Sequence, residues 1–144
     1  MATMIEPYTD FENARLTDFS DPANRRAMQE AIEKVRGQLG RTYPLVIGGE
    51  KVTSGETGDS VNPAKPSEVV GKFVQATGEH AERAIGAAAE AFRTWQYTTA
   101  EERADYVFRA AELMEERRFE LAAWMVFEVS KSVHDSQQST RPFL

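Results

Sequence analysis

The chain contains no cysteine. These 144 residues therefore cannot form a disulfide, and they offer no thiolate to bind a metal ion or to attack a carbonyl carbon. The absence of cysteine does not indicate a cellular compartment, because proteins without disulfides occur in every compartment. For the residues given, any reaction that needs a cysteine nucleophile is excluded.

Excess positive charge and long apolar runs are also missing. The 17 basic residues are outnumbered by 23 acidic ones, so a net charge of -6 repels phosphate backbones and anionic lipids. The apolar run Leu121–Phe127 is far shorter than the roughly twenty residues that cross a bilayer. Residues 1–7 lack the basic and apolar parts of a secretory signal. We therefore expect a cytoplasmic protein without nucleic-acid or membrane partners.

Three helices can be predicted from caps and apolar spacing. The first runs from Asp21 to Leu39, with Pro22 in its first turn and Gly40 as its stop. Thr77 and Thr99 are predicted N-caps of two more, the second with a capping box and a possible break near Arg117. Their apolar stripes are expected to be buried and comprise Ala81, Ala84, Ile85, Ala88, Phe92 and Trp95, then Ala104, Val107, Phe108 and Ala111, continued by Leu121, Met125 and Val129.

Two short hairpins are predicted between the first and second helices. Gly48-Gly49 can take the positive φ angles of a tight turn, which joins a strand over 43–47 to one over 50–53. A prolyl turn at 62–66 is followed by a strand over 69–76. We expect this small antiparallel unit to need helices or a neighbouring domain to cover it.

The order of these pieces resembles the opening of an aldehyde dehydrogenase. The resemblance rests on the segments Pro44–Val52, Ser60–Ala64 and Val69–Lys72, and on the later residues Ala88-Ala-Glu-Ala-Phe92, Trp95, Arg103 and Glu128. The leader Glu6–Phe11 and the helical stretch after it resemble the branch called 1-pyrroline-5-carboxylate dehydrogenase. That branch oxidises glutamate semialdehyde to glutamate with NAD in proline degradation.

The resemblance implies a fragment of an α/β, aldehyde dehydrogenase-like fold that is mostly helical with two small antiparallel β-hairpins. The family's cysteine nucleophile, its glutamate base and its NAD site lie downstream of the matched segment. We therefore expect this chain by itself to be inactive and to bind no cofactor, although NAD is implied for the full-length family.

The resemblance divides the chain into three regions. Residues 1–40 form a leader and first helix, and residues 41–131 form the N-terminal part of an NAD-binding domain. Residues 132–144 are expected to be unmatched, because the family's Gly-Lys-Pro is replaced by Ser130-Lys131-Ser132, and to be disordered or loosely attached, because residues 134–142 have almost nothing to bury. A glycine there would end the helix in the left-handed region, which suits serine less well. A truncation or a frameshift would account for such a loss of pattern.

Possible chemical sites each have a structural alternative that we favour. Gly48-Gly49 could cradle a phosphate, but no glycine-rich loop with a following helix accompanies it, so a turn is favoured. His80 could bind a metal with Glu79 and Glu82, but neighbours at such spacing diverge on a helix, which favours an exposed histidine. His134 lies in the tail and has no assigned role.

The acidic and aromatic residues are treated in the same way. The pairs Glu101-Glu102 and Glu115-Glu116 could act as acid and base, but capping and a solvated face explain them. Glu128 and Lys131 match family positions and stay unassigned. The aromatic series Phe92, Trp95, Phe108 and Trp124 could bind a cofactor ring, but packing at an interface is favoured, and that surface is expected to lie open here.

These considerations assign no catalytic, cofactor-binding or metal-binding residue to the chain. The leading hypothesis is the front part of a 1-pyrroline-5-carboxylate dehydrogenase-like enzyme. The alternative is a non-catalytic remnant that binds an intact aldehyde dehydrogenase subunit or a second copy of itself.

Overall fold

A computed structural model describes residues 15–139, so the predicted role of the leader at 6–11 lies outside the described residues. Helices make up more than half of this region, and they are α1 (Pro22–Arg36), α2 (Gly78–Trp95), α3 (Ala100–Glu116), α4 (Arg118–Val129) and α5 (Val133–Ser139). The strands are β1 (Arg41–Tyr43), β2 (Leu45–Ile47), β3 (Glu50–Val52), β4 (Thr57–Asn62) and β5 (Lys65–Val74). Within residues 15–139, every helix is too short or too polar to cross a membrane.

Helix α1 begins where the sequence predicts and ends three residues earlier. The Asp21 side chain accepts a hydrogen bond from the backbone N–H of Ala23, and Pro22 occupies the first turn, where its missing N–H costs nothing. The chain leaves the helix at Gly37 and turns. Gly40 has a φ of +76° and donates its N–H to the carbonyl of Val70 at 3.0 Å. This contact fixes the path from α1 into the sheet.

Strand β5 is the centre of a three-stranded sheet in the order β1-β5-β4. Strand β4 pairs with it in antiparallel fashion, whereas β1 pairs with it in parallel, with Tyr43 opposite Phe73. Their rings stack with centroids 5.4 Å apart. The parallel strand was not predicted, because residues 43–47 read as one strand. Pro44 lacks an N–H for a strand ladder, and β1 and β2 lie in different sheets on either side of it.

The two predicted antiparallel hairpins are confirmed. The first joins β2 to β3, with Ile47 opposite Glu50. Gly48 and Gly49 have φ angles of +59° and +85°, the conformation that a two-residue turn of this kind requires. The second joins β4 to β5 through the prolyl turn, with irregular register between Ser60 and Asn62.

The core is formed mainly by α1, α4 and β5. Its cluster of buried side chains consists of Met28, Ala31, Val35, Val70, Ala122, Ala123 and Phe127. The guanidinium of Arg36 lies 5.7 Å from the ring centroid of Phe127, so a cationic side chain covers the rim of this core. The fold therefore holds together through elements distant in sequence.

Two expectations about burial are wrong. None of the 18 residues of α2 is buried, and α3 buries only Ala111. Along α4 the buried side is Ala122, Ala123 and Phe127, whereas Val129 is 49% exposed. Apolar spacing shows that a helix has an apolar side, but it does not show whether anything in the same chain covers that side.

The expectation of a disordered stretch from residue 132 is also wrong for residues 133–139, which form α5. The hydroxyl of Ser132 accepts a hydrogen bond from the N–H of Asp135 at 3.2 Å and donates one to its carboxylate at 2.6 Å. Such a pair satisfies a helix N-terminus. Val133 packs against the core and Ser136 is fully buried, so α5 belongs to the folded unit.

Candidate functional site

The residues that could bind a phosphate or a metal ion have structural roles. Gly48-Gly49 forms a turn between two strands and leads into no helix. His80 is half-buried, and its Nδ1 accepts the backbone N–H of Thr77 at 3.1 Å, so it closes a capping box on α2. Among residues 15–139 no three His, Cys, Asp or Glu side chains come close enough together to hold a metal ion.

One member of each adjacent glutamate pair has a structural contact, a helix cap for Glu102 and an ion pair for Glu115. Glu102 accepts the N–H of Thr99 at 3.0 Å and completes the capping box of α3. Glu115 pairs with Arg118 at 3.0 Å across the junction between α3 and α4. Glu128 lines a cavity of about 220 Å³ with Tyr43, Val70, Gly71, Phe73 and Trp124. Glu102 also lines a cavity of about 520 Å³ with Asp105 and Arg109, and neither Glu101 nor the pair Glu115-Glu116 lines that cavity.

The N-termini of α2 and α3 differ from the helix start of a dinucleotide site. The turn from β5 into α2 contains a single glycine at the helix start, Gly78, instead of a glycine-rich loop. The capping boxes of α2 and α3 satisfy one first-turn N–H of each helix, that of His80 through Thr77 and that of Glu102 through Thr99. The first turn of α3 also carries Glu101 and Glu102, whose charge opposes a phosphate.

Ser130 joins the end of α4 to the β4–β5 turn through hydrogen bonds that the sequence does not predict. Ser130 has a φ of +52°, the left-handed conformation that a glycine would adopt readily. Its hydroxyl accepts the N–H of Ala64 at 3.0 Å and donates to Oδ1 of the buried Asn62 at 3.3 Å. Asn62 in turn donates its amide to Glu68 at 2.9 Å. These bonds hold the helix end against the hairpin.

Two glutamates acquire lowered pKa values where elements meet. The amide of Asn62, and then Lys65, hold the pKa of Glu68 below its ordinary value. For Glu120 the pKa is lowered by a hydrogen bond from Lys34, at 3.0 Å, and next by Arg117. Lys34 lies on α1 and Glu120 on α4, so this ion pair joins the two helices of the core. Both arrangements are structural.

The most distinctive surface is apolar and lies on α2. Its five residues are all exposed and recur at spacings of four and three, and we call them the α2 stripe: Ala81, Ile85, Ala88, Phe92 and Trp95. The stripe continues onto α3, because the rings of Trp95 and Tyr106 lie 5.5 Å apart between centroids. Phe108 is also exposed, whereas Trp124 is half-buried against the core. The prediction of an open aromatic surface holds for the first three of the four aromatics.

Comparison with known proteins gives a consistent result. The sequence profile of the aldehyde dehydrogenase family matches residues 51–143, past the point at residue 131 where the resemblance was expected to end. The 1-pyrroline-5-carboxylate dehydrogenase of Geobacillus thermodenitrificans is 46% identical over 137 residues, which are 95% of this chain and 26% of that protein. The enzyme of Bacillus pumilus is 44% identical over 132 residues, 92% of this chain and 26% of that protein.

Solved structures give the same correspondence. The 1-pyrroline-5-carboxylate dehydrogenase from Thermus with bound NAD superimposes with a TM-score of 0.88 and 40% identity, covering 96% of this chain and 26% of that one. The Mycobacterium tuberculosis enzyme gives a TM-score of 0.81 and 27% identity, covering 95% of this chain and 26% of that one. The chain thus corresponds to the N-terminal portion of these relatives and spans about a quarter of their length.

Proposed function

Since the chain belongs to the aldehyde dehydrogenase family, we propose that it serves as the N-terminal part of a 1-pyrroline-5-carboxylate dehydrogenase-like enzyme. Such an enzyme oxidises glutamate semialdehyde to glutamate with NAD in proline degradation. The observation that carries the proposal is the superposition on the NAD-bound Thermus enzyme at a TM-score of 0.88 over 96% of this chain. NAD is an intracellular cofactor, so we also place the protein in the cytoplasm.

The role proposed for these residues is structural. Oxidation of an aldehyde through a covalent adduct needs a nucleophile, and the family's nucleophile is a cysteine, which this sequence lacks. The first turn of α3 carries Glu101 and Glu102, whose charge opposes a pyrophosphate, and no glycine-rich loop precedes α2. We therefore assign the nucleophile, the base and the NAD site to the part of the fold that this chain does not span, and we assign no step of the reaction to its side chains.

A second candidate function is a non-catalytic binding module. The observation that favours it is the exposure of Ile85, Phe92 and Trp95 along one side of α2, which is unusual for a helix with no partner. Such a module would associate with an intact aldehyde dehydrogenase subunit or with a second copy of this chain.

A chimera distinguishes the two functions. The matched segment of the Geobacillus thermodenitrificans enzyme is replaced by this chain, and NADH formation from glutamate semialdehyde and NAD is followed by absorbance. The proposed function predicts an active chimera, because 46% identity and a shared backbone preserve the frame of the site. A chimera that unfolds cooperatively but lacks activity contradicts the proposal. Activity of the isolated chain would contradict the assignment of the nucleophile elsewhere.

A further inference from the structure

The capping box of α2 is closed by a histidine, at the position where a glutamate or a glutamine is usual. Nδ1 of His80 lies 3.1 Å from the backbone nitrogen of Thr77 and 3.2 Å from the Thr77 hydroxyl. A backbone N–H can only donate, so Nδ1 must accept, and a neutral ring must carry its proton on Nε2. The cap therefore requires the neutral imidazole in one of its two tautomers.

A second proton on the His80 ring removes this acceptor. Both nitrogens of a protonated imidazole are donors, so an Nδ1–H would point at the N–H of Thr77. The positive charge would also lie at the N-terminus of α2, where the helix dipole disfavours a cation. The other half of the capping box, in which the N–H of His80 donates to the Thr77 hydroxyl at 3.4 Å, does not depend on the charge of the ring.

His80 also lies on the side of α2 that faces the β2–β3 hairpin. His80 and Ala87 are half-buried, and all other residues of α2 are exposed. Seven positions make nearly two full turns of a helix, so these two residues share one side. A Cβ built on Gly48 of the hairpin turn would lie 3.5 Å from the Cβ of Ala87. The first turn of α2 and its support by the hairpin therefore meet at His80.

The hairpin offers a single titratable residue on the side that faces α2. Residues at alternate positions of a strand point to opposite sides, so Val46, which is 65% exposed, and Lys51 point away from the helix. Glu50 points towards α2 and pairs with Arg83 at 4.0 Å. The residues on the α2 side of the hairpin are Leu45, Ile47, Glu50 and Val52.

The charged residues of α2 itself do not take over the cap. Glu79 and Glu82 are one and two positions from His80, and side chains at such spacing point in different directions on a helix. Among the described residues, the N–H of Thr77 is accepted by His80 alone. Loss of the neutral ring therefore leaves this N–H without its acceptor.

We propose that His80 makes the start of α2 sensitive to pH: the first turn is closed while the imidazole is neutral and opens when the imidazole is protonated in mild acid. Histidine gains this proton within the range of about pH 5–8. The effect is confined to α2, because the core cluster on α1, α4 and β5 contains no residue of α2. The closed turn is present at the upper end of this range and is lost as pH falls.

Hydrogen exchange followed by NMR tests the proposal on the chain as it is. The amides of residues 81–85 are measured at about pH 7.5 and about pH 5, each corrected for the intrinsic exchange rate. Loss of a side-chain cap should raise their opening equilibrium about fivefold at the lower pH. Core amides of α1 and α4 should change by less than about twofold. Glu68 and Glu120, whose pKa values are lowered, stay ionised at both pH values.

Two variants separate the acceptor from the rest of the side chain. His80→Gln keeps an oxygen that can accept the N–H of Thr77 and does not titrate, so its α2 amides should be equally protected at both pH values. His80→Ala has no acceptor, so its α2 amides should be open at both. An exchange pattern of His80→Gln that depends on pH as the natural chain does would assign the effect to another group, such as His134, and overturn the proposal.

The tautomer of the ring provides an independent readout. Two-bond proton–nitrogen NMR spectra at about pH 7.5 should show a neutral His80 ring with its proton on Nε2. A neutral ring that carries its proton on Nδ1 contradicts the acceptor role. Opening of residues 81–85 that is the same at both pH values in the natural chain likewise overturns the proposal.

Discussion

At the scale of single residues, Ser130 shows how a side chain can compensate for an unfavourable backbone. A left-handed conformation costs a non-glycine residue about 1 kcal/mol. Here the Ser130 hydroxyl makes two hydrogen bonds to the β4–β5 turn, and a glycine could make neither. The sequence indicates the conformational problem at the end of α4. The compensating bonds depend on Asn62 and Ala64, which are more than sixty residues away along the chain.

The contribution of the Ser130 hydroxyl to stability can be measured with an alanine variant, which still has a Cβ in the left-handed region, and a glycine variant, which has none. Ser130→Ala keeps a Cβ in the left-handed region and removes both hydrogen bonds, so we expect the free energy of unfolding to fall by about 1 kcal/mol. Ser130→Gly loses the same bonds but relieves the backbone, so its stability should lie close to that of the natural chain. Urea unfolding followed by tryptophan fluorescence measures both. An alanine variant as stable as the natural chain would show that the bonds contribute nothing.

The ion pair of Glu120 predicts a dependence of stability on pH. Its pKa is lowered in the folded chain, chiefly by Lys34. Its contribution to stability is therefore fully present above the ordinary glutamate pKa of about 4.3 and is lost as pH falls through the lower folded value. Glu120→Gln should cost about 0.5–1 kcal/mol at pH 7, and the difference from the natural chain should be smaller at pH 3.

A matched control for this prediction is Glu33→Gln. Glu33 pairs with Arg36 within α1, and both side chains are more than half exposed. The control should change the free energy of unfolding little at either pH. Urea unfolding at the two pH values gives the comparison. A deficit of Glu120→Gln that persists unchanged in acid would assign its effect to packing instead of charge.

At the scale of helices and strands, α1 and α4 contribute most of the buried core, whereas α2 buries no residue and α3 buries only Ala111. Phe127 is 5% exposed within the core cluster, and Phe92 on the α2 stripe is 58% exposed. The same substitution therefore has two different expected effects. Phe127→Ala should cost about 3–5 kcal/mol, because it removes a buried ring and leaves a cavity, whereas Phe92→Ala should change stability by less than about 0.5 kcal/mol.

This contrast is measured by urea unfolding with circular dichroism. Phe127→Leu serves as a milder core variant if the alanine variant does not fold, with an expected cost of under about 1.5 kcal/mol. Equal costs at positions 92 and 127 would show that the α2 stripe is covered in the isolated chain.

Local signals were sufficient to predict the N-caps of three helices, but they did not predict contacts between distant residues. Thr77 and Thr99 cap their helices as predicted, since a side-chain oxygen and the third N–H are fixed by local geometry. The parallel pairing of β1 with β5 depends on the position of residues about thirty apart, and no local pattern specifies it. Helix α5 was missed because its residues are polar, and its support comes from Ser132 and the core beneath Val133.

The candidate surface was only partly predictable for the same reason. Spacing identifies Ile85, Phe92 and Trp95 as one side of a helix, whether that side is covered or open. The absence of cysteine could be read directly from the sequence and restricts the chemistry without any structure. The chain spans about a quarter of the relatives' length, and apolar spacing alone could not decide whether the stripe is covered.

At the scale of the whole molecule, the chain combines a packed core with the exposed α2 stripe, and this combination has a measurable consequence. The isolated chain should bind the dye ANS in its folded state, because the dye adsorbs to exposed apolar surface. Ile85→Asp with Phe92→Asp should reduce the ANS fluorescence several-fold, and Val46→Asp should leave most of it. Cooperative urea unfolding of the natural chain and of both variants would show that the dye binds the α2 stripe and not a loosened core. Dye binding that is unchanged by the two charges, with folding intact, would place the exposed apolar surface elsewhere on the chain.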